Sequence, residues 1–306
     1  MRKYMKNLVL FAALIFGMQV FGQQAPHYTQ YMYNMNVVNP AYAGIKNGLA
    51  GGFLYRTQWV GQSGHPETFV FNIHSPLGEK MGLGLSAMHD KYGPVGQTDI
   101  KLDYSYTIEL APELNLAFGL NVGLARDHMD FKSLSVVHPG DPLLSVNPTV
   151  MKLLYGVGAF LYSEKFYVGL SAPNLNTGPY EQSGSSWTQG RTIHYFGTAG
   201  YVFDMGENFK LKPHVMVYKA NGSPISSIFS ANLFMYDKLE LGLFYRLKDS
   251  FGGLINYMLT DNIRIGYAYD RTTSMMKFYS PSTHELFINF VVPYAKQRAL
   301  MSPIYF

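Results

Sequence analysis

The sequence predicts an all-β fold: a transmembrane outer-membrane β-barrel of about 14 antiparallel strands. One reason is that apolar and polar residues alternate strictly over long segments of the chain. Another is composition, since only 14% of the 306 residues are charged and 15% are aromatic, whereas about a quarter of a soluble domain is charged. The mean hydropathy of −0.02 argues against a bundle of membrane helices. The absence of Cys excludes a disulfide-stabilised secreted domain.

Residues 1–22 have the pattern of a signal peptide. Arg2, Lys3 and Lys6 form a basic start, an apolar stretch follows, and cleavage is expected near Gly22. The apolar stretch is shorter than the ~20 residues of a spanning helix, and an uncleaved anchor is the alternative. Removing this segment leaves 21 basic against 20 acidic residues. The mature chain is therefore near neutral, which gives no argument for a nucleic-acid partner.

Residues 23–48 form a lead-in that differs from the rest of the chain. Five apolar side chains fall on one face of a short helix: Tyr28, Tyr31, Met32, Met35 and Val38. Asn39-Pro40 would end this helix. We expect the segment to lie on the periplasmic side and to cap the barrel mouth as a plug. An irregular connection to the first strand is the alternative.

Residues 49–293 contain the alternating segments. Between Ile100 and Leu110, every even position is apolar or aromatic and every odd position is polar. Such segments run to about eleven residues, the length with which a tilted strand crosses a bilayer. The opposite face is small or polar, as at Gly119, Gly123 and Gly242. This face suits a barrel interior better than a soluble core.

The alternation predicts fourteen strands, at roughly 49–58, 66–75, 81–89, 98–110, 114–126, 151–162, 166–173, 192–204, 209–219, 225–236, 239–247, 251–260, 263–272 and 284–293. The connections at 76–80, 111–113, 163–165, 205–208, 237–238 and 261–262 are short, and most of the others are longer. This plan is typical of short periplasmic turns and longer extracellular loops. Both termini, including a C-terminal tail at 294–306, are then periplasmic.

No catalytic motif stands out, and we expect a non-enzymatic protein without a cofactor or metal. The adjacent His74-Ser75 pair raises the alternative of a lipid-hydrolysing barrel, which needs an activated Ser beside a base. His138 and Asp141 allow a cation site in the 127–150 loop, although a rigid external loop explains these residues better.

The alternation also predicts which charged side chains face the lumen, where they would pair with one another and line any pore. These residues are Lys101, Asp103, Glu109, Glu240, Arg246, Arg264, Asp270 and Glu285. Their mixed signs predict no ion selectivity.

Several motifs carry a family resemblance: Tyr31-Met32-Tyr33-Asn34, Asn39-Pro40-Ala41-Tyr42-Ala43-Gly44, Arg56-Thr57-Gln58-Trp59, then Gly64, Pro66 and Thr68, His74-Ser75-Pro76-Leu77-Gly78, and Ser282-Thr283-His284-Glu285. Asp90 and Gly93 follow in the next predicted long loop. The chain thereby resembles the PorP/SprF family of Bacteroidetes membrane proteins. It departs from the family in the tail, where Ile304 stands in place of an expected Arg and Phe306 lies far beyond the last strand.

The resemblance implies an outer-membrane component of type IX secretion that serves export or surface anchoring of a large secreted protein, such as a gliding adhesin. The implied partners are that protein, other secretion components in the periplasm and outer membrane, and the lipid bilayer. The motif residues are the docking candidates: Asn39, Pro40, Ala41, Gly44, Arg56, Gln58, Trp59, Gly64, Pro66, Thr68, Asp90, Gly93, His284 and Glu285. A passive porin or small-solute channel is the alternative function.

Overall fold

The computed structural model describes residues 29–134, 147–176, 178–182, 185–221, 223–278 and 282–294. The predicted signal peptide with its cleavage site, the pair His138 and Asp141, and the tail beyond residue 294 lie outside these residues. Among the described residues, no helix is long and apolar enough to cross a membrane.

Fourteen antiparallel strands close into a barrel, which confirms the predicted fold class and strand number. The strands are β1 (Gly48–Gln58), β2 (Glu67–Leu77), β3 (Met81–Tyr92), β4 (Val95–Ala111), β5 (Leu114–Met129), β6 (Thr149–Tyr162), β7 (Phe166–Ala172), β8 (His194–Tyr201, continued by Phe203–Asp204), β9 (Phe209–Ala220), β10 (Ser226–Met235), β11 (Leu239–Arg246), β12 (Ser250–Thr260), β13 (Ile263–Thr272) and β14 (Ser282–Pro293). β1 pairs with β14 from Gly48–Pro293 to Gln58–Thr283, so the barrel has no open edge.

The period-two pattern divides each strand between two environments. In β4, Asp103, Ser105 and Thr107 are buried inside the barrel, whereas Leu102 and Tyr104 are exposed on its outer surface. The outward row of aliphatic and aromatic side chains is the surface that meets lipid, because successive side chains of a strand point to opposite faces.

The two ends of the barrel differ in their connections. At the short-turn end, strands are joined at 78–80, 112–113, 163–165, 205–208, 236–238 and 261–262. At the long-loop end, the larger connections are 59–66, 130–148, 173–193 and 273–281. The 173–193 connection contains a hairpin that the sequence did not predict, in which Gly178–Gln182 pairs with Ser185–Arg191.

The connection between β3 and β4 corrects one expectation. A long loop was predicted there, but Tyr92 pairs directly with Val95 and only Gly93-Pro94 lies between them. Gly93 has a φ of +54°, which glycine adopts without the steric cost of a Cβ and which allows a tight turn. Asp90 consequently lies inside β3 and not in a loop.

The N-terminal segment fills the barrel interior, and residues 29–47 are called the plug below. It consists of a 3₁₀ turn (Tyr31–Tyr33), one turn of α-helix (α1, Met35–Val38) and a second 3₁₀ turn (Pro40–Tyr42). Thr29 contacts the barrel near the long-loop end, and the segment reaches the start of β1 at the short-turn end. The plug therefore runs along the lumen, whereas the sequence suggested a cap at one mouth.

Candidate functional site

Glycines on the barrel wall make room for the plug. Gly82, Gly119 and Gly158 face inward on β3, β5 and β6. A Cβ built on Gly119 would overlap the backbone of Ala41, and one on Gly82 would overlap the carbonyl of Ala43. The inward-facing glycines therefore form the part of the wall against which the second 3₁₀ turn packs.

Asn39 joins the plug to two strands of the wall. Its Oδ1 accepts the Ala41 N–H at 3.0 Å and caps the second 3₁₀ turn. Its Nδ2 donates to the carbonyl oxygens of Ala159 in β6 (3.0 Å) and Leu170 in β7 (3.4 Å). One side chain therefore caps the N-terminal end of the 3₁₀ turn and also links the plug to the barrel wall.

A buried charge cluster holds the start of the plug, and we call Arg56, Arg246, Asp270 and Glu285 the latch. The two oxygens of Glu285 accept the N–H groups of Thr29 (2.9 Å) and Gln30 (2.7 Å). The Thr29 hydroxyl donates to Asp270 at 2.9 Å.

The latch is neutral and nearly completely buried. Arg56 pairs with Asp270 at 2.8 Å and with Glu285 at 2.9 Å, and these three side chains are at most 2% exposed. Arg246 donates to Asp270 at 3.4 Å and to Ser250 at 2.9 Å. Removing one partner of such a buried pair costs about 3–5 kcal/mol, because the other charge is left without compensation.

A second polar cluster contacts the first 3₁₀ turn of the plug. Lys212 pairs with Glu240 at 2.8 Å and donates to the Tyr33 hydroxyl at 3.0 Å. Tyr33 also donates to Glu240, and Asn232 donates to the same carboxylate at 2.6 Å. Tyr33 is therefore fixed in the lumen by charged groups from β9 and β11, and Asn232 of β10 supports the Glu240 carboxylate.

A third cluster ties the outer hairpin to the barrel. Arg191, at the end of the hairpin, pairs with Asp99 at 2.7 Å and with Asp127 at 2.6 Å. Both carboxylates face inward near the long-loop ends of β4 and β5. A planar guanidinium that binds two carboxylates in this way fixes position as well as charge.

The predicted lumen charges have different environments. Lys101, Asp103, Glu240, Arg246, Asp270 and Glu285 are buried inside the barrel. Asp103 accepts a hydrogen bond from Asn36 of the plug at 3.1 Å. Arg264 is half-buried, and Glu109 is exposed near the end of β4.

Sequence reasoning did not select Asp99, Asp127, Arg191 and Lys212. The period-two alternation along each strand could have identified Asp99, Asp127 and Lys212 as inward-facing, because they lie on the same strand faces as other inward residues. Arg191 lies in a connection without a periodic pattern, so no local signal marks it.

The docking candidates separate into two groups. Most are buried in the plug or on the inner face of the barrel and offer no surface to a partner: Asn39, Pro40, Ala41, Gly44, Arg56, Thr68, Asp90 and Glu285. Gln58 is half-buried. His284 is half-buried too, and its Nδ1 lies 2.7 Å from the Tyr267 hydroxyl. Trp59, Gly64, Pro66 and Gly93 lie at the long-loop end, where a partner has access.

These last four residues line a groove with a volume of about 560 Å³. Trp59, Pro66, Tyr92 and Pro94 supply apolar surface, and Gln62, Ser63 and His65 supply polar groups. The Gly93 N–H donates to the Gly64 carbonyl at 2.9 Å, which ties the 59–66 loop to the β3–β4 turn. We call this site the loop groove.

The geometry separates the His74-Ser75 pair. His74 faces the lumen and its Nδ1 accepts the N–H of Gly44 at 3.1 Å. Ser75 lies on the opposite face, and its hydroxyl is 2.6 Å from that of Tyr294. His74 is therefore not placed to activate Ser75 as a nucleophile.

A closed antiparallel barrel with an apolar outer surface and a polar interior defines an outer-membrane β-barrel protein. The chain belongs to the PorP/SprF family of type IX secretion system membrane proteins, whose family profile matches residues 20–290. This confirms the resemblance identified from the motifs.

Solved structures of other proteins are similar to this chain at low sequence identity. The CymD monoaromatic hydrocarbon channel is 12% identical with a TM-score of 0.51, and the match covers 86% of this chain and 94% of that one. Omp33 of Acinetobacter baumannii is 10% identical with a TM-score of 0.49 and coverage of 81% and 100%. The toluene transporter TbuX of Ralstonia pickettii is 10% identical with a TM-score of 0.49 and coverage of 84% and 93%. A search of curated protein sequences finds no significant match.

Proposed function

We propose that this protein is a non-enzymatic outer-membrane barrel that supports type IX export or surface anchoring of a large secreted protein, such as a gliding adhesin. The chain enters the envelope with a signal peptide cleaved near Gly22, and the long-loop end faces outward. The secreted protein docks in the loop groove, and other secretion components contact the barrel from the periplasm.

The observation that carries this proposal is the composition of the loop groove. Residues from separate family motifs converge there: Trp59, Gly64 and Pro66 from the 59–66 loop, and Gly93 from the β3–β4 turn. Trp59 has a φ of +54°, a rare conformation for a bulky residue. Such backbone strain persists where surrounding contacts enforce it, and it is concentrated at functional sites. An aromatic residue in a partly desolvated groove is the usual anchor of a protein interface.

The filled lumen favours a docking role over passive diffusion. Tyr31, Met32 and Met35 of the plug are at most 1% exposed, and the wall closes around them. A diffusion porin instead keeps a water-filled channel. The porin alternative therefore requires that the plug leave the lumen.

The test replaces Trp59 and Tyr92 by Ala in a strain that lacks the native gene. Tyr236→Ala is the matched control, because it removes an exposed aromatic side chain at the short-turn end. We expect the double variant to lower the surface level of the cognate secreted protein at least tenfold, with normal barrel levels in the outer membrane. Unchanged surface levels would contradict docking in the loop groove.

A second measurement separates the two functions. The purified barrel in a planar bilayer should show no stable conductance, because the plug occupies the lumen. A persistent open channel without any partner would favour the porin alternative.

A further inference from the structure

A small cavity lies at the short-turn end, between the plug and the barrel wall. Its volume is about 150 Å³, enough for a single small polar group. The charged and polar side chains on its walls include Lys46, Asn72, His74, Asp261, Arg264 and Asn289. Neither the loop groove nor the latch shares a residue with this cavity.

Arg264 is held in place by aromatic rings. Its guanidinium carbon lies 4.6 Å from the centre of the Tyr33 ring and 5.9 Å from that of Phe234. Its Nε donates to the Met258 sulfur at 3.2 Å. Within the described residues this is its one hydrogen bond, and it forms no ion pair there. The four N–H donors of its Nη atoms thus remain for a ligand, on a guanidinium whose orientation is already fixed.

His74 adds a donor to the same cavity. Its Nδ1 lies 3.1 Å from the N–H of Gly44, which can only donate, so Nδ1 is the acceptor. In the neutral ring the proton is then on Nε2, which becomes a donor. His74 thus presents a hydrogen-bond donor and not a second acceptor.

Lys46 adds positive charge at the cavity wall. Burial, with smaller contributions from the like charges of Arg264 and Lys212, lowers the pKa of Lys46 from 10.5 to about 7. An anion next to this side chain would favour the protonated ammonium. The nearby carboxylate of Glu240 is paired with Lys212, and Asp261 is exposed in a turn at the cavity rim.

We propose that this cavity binds a phosphate-type oxyanion, which the Nη groups of Arg264 grip in a bidentate manner while His74 and Lys46 complete the site. The rigid, planar guanidinium matches two oxygens of such an anion. The amide groups of Asn72 and Asn289 lie on the same walls. A cation is disfavoured because basic groups predominate, and an apolar ligand is disfavoured because half the wall is polar. The anion is free phosphate or the headgroup of a phospholipid.

The test measures phosphate binding to the full-length mature barrel in phosphate-free detergent by calorimetry. Arg264→Gln and Lys46→Gln should each weaken phosphate binding at least tenfold. Lys238→Gln is the matched control, since it removes an exposed positive charge at the same end but outside the cavity. Heat-modifiable migration on a gel verifies that each variant is folded. Lys46 precedes β1, so its variant remains informative if Arg264→Gln does not fold.

A second arm identifies the source of the anion. Phospholipid that co-purifies with the barrel is measured by mass spectrometry for the wild type and both variants. Loss of bound phospholipid in Arg264→Gln and Lys46→Gln, without binding of free phosphate, assigns the site to a headgroup. Binding of free phosphate that these variants abolish assigns it to the small anion. The proposal is overturned if neither ligand binds, or if both variants bind as the wild type does.

Discussion

Replacing Glu285 by Gln should release the start of the plug from the barrel wall. Gln has nearly the same shape as Glu but carries no charge, and only one of its two terminal atoms accepts hydrogen bonds. Glu285 uses one oxygen for the Gln30 N–H at 2.7 Å, and the other for the Thr29 N–H and for Arg56, both at 2.9 Å. The substitution therefore removes an ion pair and forces one N–H to face an amide NH₂.

The size of the effect follows from the burial of the site. Breaking a buried ion pair costs about 3–5 kcal/mol when the remaining charge is unpaired. Arg56 keeps Asp270 as a partner at 2.8 Å, which places the cost near the lower limit. A loss of about 3 kcal/mol shifts the equilibrium between bound and released plug by about 100-fold.

The assay uses the absence of native cysteine. Val38→Cys places a single thiol on α1, at a position that is 2% exposed. A water-soluble maleimide reaches this thiol only when the plug leaves the lumen, so the labelling rate reports plug release. Planar-bilayer conductance provides a second readout, because release opens the lumen.

The control is Asp204→Asn, which removes an ion pair with Lys165 at the surface, where the two side chains are 43% and 48% exposed. Such pairs contribute about 0–1 kcal/mol, so labelling should not change. If Glu285→Gln labels at the wild-type rate and stays closed in the bilayer, the latch does not hold the plug and the reasoning is wrong.

Three further predictions concern the plug. Gly119→Ala should accelerate maleimide labelling of Val38→Cys, because the new Cβ overlaps the backbone of Ala41. Gly253→Ala is the control, because its Cβ has room and the labelling rate should not change. Equal labelling rates in the two variants would contradict the role of Gly119 in making room for the plug. Asn39→Ala should lower the free energy of unfolding by about 1–2 kcal/mol through loss of the cap, measured by urea titration, and an unchanged midpoint would exclude that role. The pKa of Lys46 falls to about 7 on folding, so the unfolded state binds more protons than the folded state from pH 7 to 10. Stability should therefore rise with pH over this range. Thermal unfolding scans at several pH values should show a smaller rise for Lys46→Met than for the wild type. If the stability of Lys46→Met rises with pH as steeply as that of the wild type, the titrating group is not Lys46.

Local patterns predicted the barrel well because each strand carries its own pattern. The predicted strand at 263–272 agrees with β13 at both ends, and fourteen strands were expected and found. The prediction of a long β3–β4 loop is wrong because a single positive φ at Gly93 makes a tight turn there, which the local sequence pattern does not show. The outer hairpin was missed because its strands lack alternation.

Contacts across the lumen were beyond the reach of the sequence. Strand parity placed Arg246 and Asp270 inside the barrel, but it gave no partner for either. Arg56 and Glu285 are 229 residues apart and meet only because β1 closes against β14. The motif Asn39-Pro40-Ala41 is a docking candidate from the sequence alone, since nothing in its local pattern shows that it is buried against β5 and β6.

The sequence by itself determined the outer-membrane barrel, because a strand that separates lipid from a polar interior must alternate with period two along its whole length. Only the tertiary structure decided what fills the interior. The plug has no strand partner and little periodicity, and its position depends on glycine gaps, carbonyl groups and charges from strands distant in the chain. These groups come together when the barrel closes. The glycine contacts with the plug, the latch and the small cavity at the short-turn end are therefore properties of the closed fold.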